Sequence, residues 1–405
     1  MVIPTSPTHS PRPAVPAAVT EIEGGEMKTA ARRKSQACKT IQRQAKRSLC
    51  AGAAALAALV WILLAPLASP ASQAGGHKLV KVMTYNVDEG TDYIELLGAT
   101  SFTDFLAAVQ LTWNNVQATD PPVRAVAIAQ QISSAEPDFV ALQEATLWRT
   151  GSGPFPTDVA YDFIELIRTE LARQGHPYNL VVSEDEFDLQ APSPTGMWIR
   201  ATNRDAILAR ADLEPDTFTI RDTQKGHYSV NLQLNTPLGL IEIPRGWAYV
   251  DASVRGTNFR LITTHLEDGE ANAFFVPIQI AQSQELLAGP GSTTQPVILL
   301  GDFNATADNP ANPSFAAYSV FTGAGYKDAW SEINPTLPGF TCCQTPGDMD
   351  PISRLDRRID LVFTHGPIQI DTAKRCGADP DQDLLEGLWP SDHAAVAVKV
   401  DFAGR

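Results

Sequence analysis

Residues 296–305 read PVILLGDFNA, and this stretch limits the fold more than any other. Residues 297–300 form an apolar run suited to a strand buried on both faces, so the chain needs covering layers on each side of a sheet. Gly301 ends the run, and Asp302 and Asn304 follow two residues apart. Gly, Asp and Asn end strands in ordinary turns. Residues i and i+2 of an extended segment also face the same side, so a rigid strand can aim an acid and an amide at one reacting centre. The stretch alone leaves both readings open.

The pattern recurs along the chain. KLVKVMTYNV (78–87) alternates as a strand and ends in Asn86 and Asp88. DFVALQEA (138–145) ends in Glu144, and NFRLITTHL (258–266) in His265. Asp360 lies within RRIDLVF, and WPSDHAAV sets Asp392 and His393 just before a last strand, HAAVAVKVDF (393–402). Taken singly, Glu144 reads as a helix cap, His265 as a satisfied half-buried histidine, and Ser391-Asp392-His393 as a turn. Five such strand ends in one chain point instead to acids, amides and two histidines gathered at one sheet edge. Metal-assisted phosphoryl transfer needs that arrangement.

Helical stretches stand between the strands: VRAVAIAQQISSAEP (123–137), FIELIRTELARQG (163–175) and PIQIAQSQELLAG (277–289). Several β-segments also come in succession, which suits two packed sheets with helices on their outer faces. A doubly wound nucleotide-binding fold fits less well, because no Gly-rich loop follows the first strand. No Pro/Gly/Ser linker divides residues 75–405, so they read as one catalytic domain, with 88–122 and 146–200 as insertions walling a cleft. Asn203, Arg204 and Asp205 precede the strand DAILAR, and Arg204 reads as a phosphate contact or a surface ion pair. Trp148, Trp198, Trp247 and Trp389 read mainly as core, with cleft walls the alternative.

Charge and cysteine usage bear on setting. The net charge is −15, and residues 75–405 carry 22 basic and 43 acidic residues, a balance of −21. That excludes the broad basic face of a DNA-coating protein and suits one that holds divalent cations. Residues 1–26 read as disordered or upstream of the true start. From Met27 a basic segment leads into AGAAALAALVWILLAPLA (51–68) and then SPASQA, so 27–74 reads as an export signal cleaved near Ala71 or Ala74. The alternative is an anchor spanning a bilayer through 51–68. Either way the expected location is secreted or extracytoplasmic. In an oxidising compartment, Cys342 or Cys343 is expected to bridge to Cys376, closing a loop of about 33 residues.

TYNVD, ALQEA, THLE, GDFNA, RIDLV and SDH, in this order over residues 79–400, resemble the signature blocks of the endonuclease/exonuclease/phosphatase superfamily. Secreted deoxyribonucleases and neutral sphingomyelinases belong to it. The resemblance implies an α/β fold, a four-layer sandwich of two packed mixed β-sheets flanked by helices. It implies Glu144 and Asp392 as metal carboxylates, Asp88 supporting the ion through water, and Mg²⁺ as the ion, with Mn²⁺ or Ca²⁺ as alternatives. Asp302 would orient or deprotonate the attacking water, and Asn304 and Asn86 would bond phosphate oxygens. His393, partnered by Asp360, would face the scissile phosphate, and His265 would stabilise it or protonate the leaving oxygen. The implied substrate is a phosphoester: nucleic acid, a phospholipid head group or a small phosphoester. A phosphomonoesterase and a non-catalytic secreted binding protein are the alternatives, and no stable protein partner is expected.

Overall fold

In the computed structural model the described residues are 78–402, apart from 238 and 271; the proposed export signal and its apolar stretch 51–68 lie outside them. Eight strands make the first sheet: β1 (Leu79–Asn86), β2 (Phe139–Gln143), β3 (Leu147–Gly151), β4 (Asp158–Asp162), β5 (Tyr178–Pro192), β6 (Trp198–Arg210), β15 (Gln369–Cys376) and β16 (Ala395–Asp401). Their order is β15-β16-β1-β2-β6-β3-β4, with β5 also paired along β6. The second sheet runs β13 (Lys327–Asp328), β14 (Asp360–His365), β12 (Val297–Asp302), β11 (Thr257–His265), β10 (Gly246–Val254) and β7 (Phe218–His227). A separate hairpin joins β8 (Leu232–Thr236) to β9 (Gly239–Ile243).

Apolar periodicity decides the layers. Between the sheets lies one core, with Val80, Val82, Phe139 and Ala141 from the first sheet meeting Phe259, Leu261, Ile298 and Leu300 from the second. Alternate residues of the first sheet point the other way, onto α2 (Phe102–Ala118), α3 (Pro121–Ala135) and α4 (Phe163–Arg173), which follow the short α1 (Ile94–Leu97). The second sheet's far face packs on α5 (Val276–Ala288) and α6 (Phe315–Gly323), while the short α7 (Ala329–Ile333) follows β13. Helices, sheet, sheet and helices form the four-layer sandwich. Ile298 and Leu300 serve the inner core while Val297 and Leu299 serve the outer one, so the run 297–300 is buried on both faces.

Residues 146–200 are not an insertion. They supply α4 and the strands β3, β4 and β5, which extend the first sheet: β3 and β5 pair along β6, and β4 pairs along β3. Residues 88–122 likewise include α2, whose Phe105, Val109, Trp113 and Val116 belong to the core. Asn203, Arg204 and Asp205 lie within β6 rather than before it.

Register brings the polar strand ends together. β1 and β2 run parallel with Asn86 beside Gln143, so Asn86 and Glu144 leave the sheet at one edge. β16 runs antiparallel to β1, so its start, and Asp392 and His393 before it, reach that edge too. In the second sheet His265 pairs with Asp302, and Asp302 with Asp360. Gly301 makes this crossing possible, since a Cβ there would overlap the Thr264 carbonyl of the neighbouring strand. Gly301→Ala should therefore lower stability by about 2–3 kcal/mol, read as a lower urea midpoint with an unchanged slope.

Candidate active site

Asn86 links the two sheets. Its Nδ2 donates to Glu144 Oε1 (2.8 Å) and to Asp302 Oδ2 (3.0 Å), and its Oδ1 accepts from the Asp88 backbone N–H. Asp302 Oδ1 accepts from the Asn304 N–H at 2.8 Å. Three of the strand-end residues, Asp88, Glu144 and Asn304, have positive φ, a conformation that turns the chain sharply as it leaves the sheet. Ser391 fixes the last loop: its hydroxyl donates to the Asn86 carbonyl (2.7 Å) and accepts from the His393 N–H (3.0 Å).

The two histidines meet different partners. His393 Nδ1 is 2.7 Å from Asp360 Oδ2, while its Nε2 faces Asp302 Oδ2 at 3.8 Å and Asp392 Oδ1 at 3.9 Å. His265 Nδ1 is 3.0 Å from Arg245 Nη1, and its Nε2 is 3.1 Å from Asn304 Nδ2 and 3.6 Å from Asp302 Oδ2. Burial works against a charge on His393, but Asp360, Asp392 and Asp302 outweigh it and hold its pKa well above the usual histidine value. For His265, burial and the nearby Arg245 act together and keep the ring neutral.

The carboxylates are crowded and dry. Burial and the neighbouring Asp360 push Asp302 up to about 7. Burial and then Asp88 raise Glu144. Burial, Asp88 and Glu144 raise Asp392 well above the usual range, against the pull of His393. Burial and the charges of Asp88 and Glu144 bring Asp92, on the loop after β1, to about 6.

A sequence model of the Endonuclease/Exonuclease/phosphatase family matches residues 83–393, from within β1 to His393 itself. The chain belongs to this family. It is thus a phosphoester hydrolase, and family enzymes generally use divalent metals. A family protein from Leptotrichia buccalis has a similar fold, with TM-score 0.50 and 16% identity over 80% of this chain and 100% of that one. Two structures from Bacteroides thetaiotaomicron are also similar: a family protein (TM-score 0.49, 17% identity, 80% and 98% of the chains) and a mannosyl-6-phosphatase (0.48, 16%, 79% and 99%). The search of curated proteins found no match.

The family's requirement for a divalent ion is met by the chemistry of the donor set. Burial and then Asp88 raise Glu144, and burial, Asp88 and Glu144 raise Asp392, in both cases against the pull of His393; hard divalent cations take such crowded oxygen ligands. Asp88 is differently placed, since Arg124 Nη2 pairs with its Oδ2 at 3.2 Å and the Gly90 N–H with its Oδ1 at 2.7 Å. Ligand atoms of Glu144, His265 and Asp302 lie within 4.8 Å of one another, as do those of Asp302, Asp360 and His393.

Several functional neighbours escape sequence reasoning. Arg124, fully buried on α3, donates to the carbonyls of Val87 (2.5 Å), Asp88 (2.9 Å) and Pro390 (2.9 Å), and pairs with Asp348 at 3.2 Å. It fastens the two loops that carry Asp88 and Asp392 to one helix; a lone arginine in the otherwise apolar stretch VRAVAIA is the signal that could have pointed to it. Glu186, on the long β5, and Arg245, between β9 and β10, stand behind His265 together with Asp205, which the sequence named but did not place there. Arg204 turns away from the site to Asp162 (2.6 Å) and the Ala145 carbonyl (2.9 Å), so it is an ion pair. Trp148 and Trp389 are buried core. The expected bridge to Cys376 is absent: Cys342 and Cys343 are bonded to each other. Cys376 pairs in register with Ala395 and packs on the helix side of the first sheet, away from that loop. Arg124→Met, which strands Asp88 and Asp348, should cost about 3–5 kcal/mol, measured by chemical denaturation.

Proposed function

We propose that the chain is an exported, metal-dependent phosphodiesterase that cleaves a P–O bond by water attack. The observation that carries this is the position of Asp302: tied by Asn86 to Glu144 on the other sheet, and faced at 3.8 Å by the Nε2 of a histidine whose other nitrogen is held by Asp360. Glu144 and Asp392 would hold the divalent ion, with Asp88 supporting them. A bound ion there supplies neutralisation of charge on the phosphoryl oxygens.

The chain's own residues do the rest. Asp302, with its proton affinity raised by burial and by Asp360, orients the attacking water and takes its proton. His393 presents Nε2 to a phosphate oxygen and favours the charge that builds there. His265, neutral, faces the same Asp302 oxygen as His393 and offers a hydrogen bond without adding charge. Asn304 Nδ2 donates to the Leu266 carbonyl and faces His265 Nε2, both at 3.1 Å, so Asn304 positions His265 rather than bonding the phosphate. Both hydrogens of the Asn86 amide serve carboxylates, which makes Asn86 an orienting group.

The arginines of residues 354–358 are each taken up by acids, which favours a substrate of low charge over an extended polyanion. Arg354 pairs with Asp350, Arg357 with Glu270 and Asp356, and Arg358 with Asp328. Export rests on the basic segment and apolar stretch before residue 75, and a disulfide in the domain fits an oxidising compartment. Among the described residues no helix is long and apolar enough to cross a membrane.

Hydrolysis of sphingomyelin vesicles, plasmid DNA and bis-p-nitrophenyl phosphate, with Mg²⁺, Mn²⁺ or EDTA, tests the activity. Turnover should be abolished by EDTA and reduced about 100-fold or more by Asp302→Asn and by His393→Ala. Vesicle cleavage should exceed DNA cleavage; either variant within a few-fold of wild type would remove the assignment. N-terminal sequencing of protein from culture supernatant should find a start just after Ala71 or Ala74, and a membrane-bound full-length chain would favour the anchor instead.

A further inference from the structure

Cys343 Sγ lies 3.9 Å from His393 Nε2, the ring nitrogen that Asp360 leaves free. Arg357 Nη2 donates toward the same sulfur at 3.3 Å and toward Cys342 Sγ at 3.6 Å. The bonded pair Cys342–Cys343 therefore sits between the histidine and a half-exposed guanidinium. Nothing in the proposed hydrolysis uses these sulfurs.

We propose that Cys342–Cys343 is a thiol–disulfide modification site that sets whether His393 Nε2 is free to meet a phosphate oxygen. This rests on the phosphodiesterase reading of the Asp302–His393–Asp360 site. The reacting partner is a dithiol, small or protein-borne. Its thiolate attacks one sulfur of the pair, the Cys342–Cys343 bond breaks, and a mixed disulfide and one free cysteine form. The partner's second thiol then closes its own disulfide and releases the other cysteine. Two electrons and two protons pass from the dithiol to the pair, and a disulfide partner returns them in the reverse exchange.

The two states differ in what they offer the histidine. A disulfide sulfur carries neither proton nor charge and accepts hydrogen bonds weakly, so Nε2 stays available to substrate. Free thiols beside a histidine and an arginine are in surroundings that favour the thiolate, which takes the hydrogen bond from Nε2 in place of the phosphate. Two unbonded sulfurs also need more room than a bonded pair. Cys342 cannot yield: it is buried, and its N–H and C=O are each bonded at 3.0 Å to the backbone of Arg357. Cys343, only half-buried, takes the displacement, and His393 is beside it. Cys376 does not compete, because burial pushes its thiol up to about 11 and leaves it inert.

The test uses the full chain purified without reductant. Peptide mapping after alkylation under denaturing conditions should find Cys342 and Cys343 joined and Cys376 alkylated; a peptide with both of the pair alkylated overturns the proposal. Turnover of bis-p-nitrophenyl phosphate is then followed before dithiothreitol, after it, and after return to oxidised dithiothreitol. Wild type and Cys376→Ser should lose about tenfold or more and recover, whereas Cys343→Ser should not respond. A wild-type rate unchanged by reduction, or an equal response in Cys343→Ser, overturns it. The imidazole ¹⁵N resonances of His393 separate this from failure of the hydrolase reading. They should move on reduction even in protein that turns over no substrate, and resonances that stay in place would refute the coupling.

Discussion

The amide of Asn86 is the contact on which the site depends. The two sheets meet through an apolar core that fixes their spacing but carries no information about polar groups at its rim. At that rim, Glu144 of one sheet and Asp302 of the other come close enough for one amide nitrogen to donate to both. Unbridged, two buried carboxylates would repel and drive the strand ends apart. With the amide between them, the inter-sheet spacing becomes the spacing of the chemistry. Gly301 and the Thr263–Gln143 hydrogen bond at 3.0 Å support the same edge a little deeper in the sandwich.

Around that contact, charges are balanced selectively. Arg124 answers Asp88 and Asp348, Arg245 answers Glu186, and His393 answers Asp360. Glu144 and Asp392 share only His393, which is already held by Asp360, so burial and the charge of Asp88 raise both. The location of the least compensated charge, rather than the number of acids, is what supports the proposed cation site. It also explains why a strongly acidic domain can keep so many buried carboxylates in one place without unfolding, given that each isolated one would be costly.

Much of this was legible in the sequence. The alternating and continuous apolar runs predicted the strands that carry the site, because a strand buried on both faces has few other ways to be written. The strand-end residues followed from the same runs. Residues 146–200 were misread as an insertion because their pairing with β6 is non-local, and pairing partners leave no mark in a single strand's pattern. For Arg204 the sequence left phosphate contact and ion pair open, because whether an arginine faces a site or an acid depends on the pleat and Asp162 is more than forty residues away; the structure settles on the ion pair. The cysteine expectation weighed loop closure alone, whereas Cys376 belongs to the helix-facing side of the first sheet.

The two histidines show what spacing cannot convey. In the sequence each is a histidine at the end of a β-segment, and the pair reads as symmetrical. In the fold, both rings face Asp302 from opposite surroundings: His393 with three carboxylates about it, His265 with a guanidinium against its far nitrogen. The difference is one of charge, and it is set largely by residues distant in the chain: Asp360 and Asp302 for His393, beside its neighbour Asp392, and Arg245, twenty positions away, for His265. In the proposed reaction a phosphate beside Asp302 would meet one positive donor and one neutral group, so charge stabilisation would be concentrated on the His393 side, where Asp392 and the Cys342–Cys343 pair also stand.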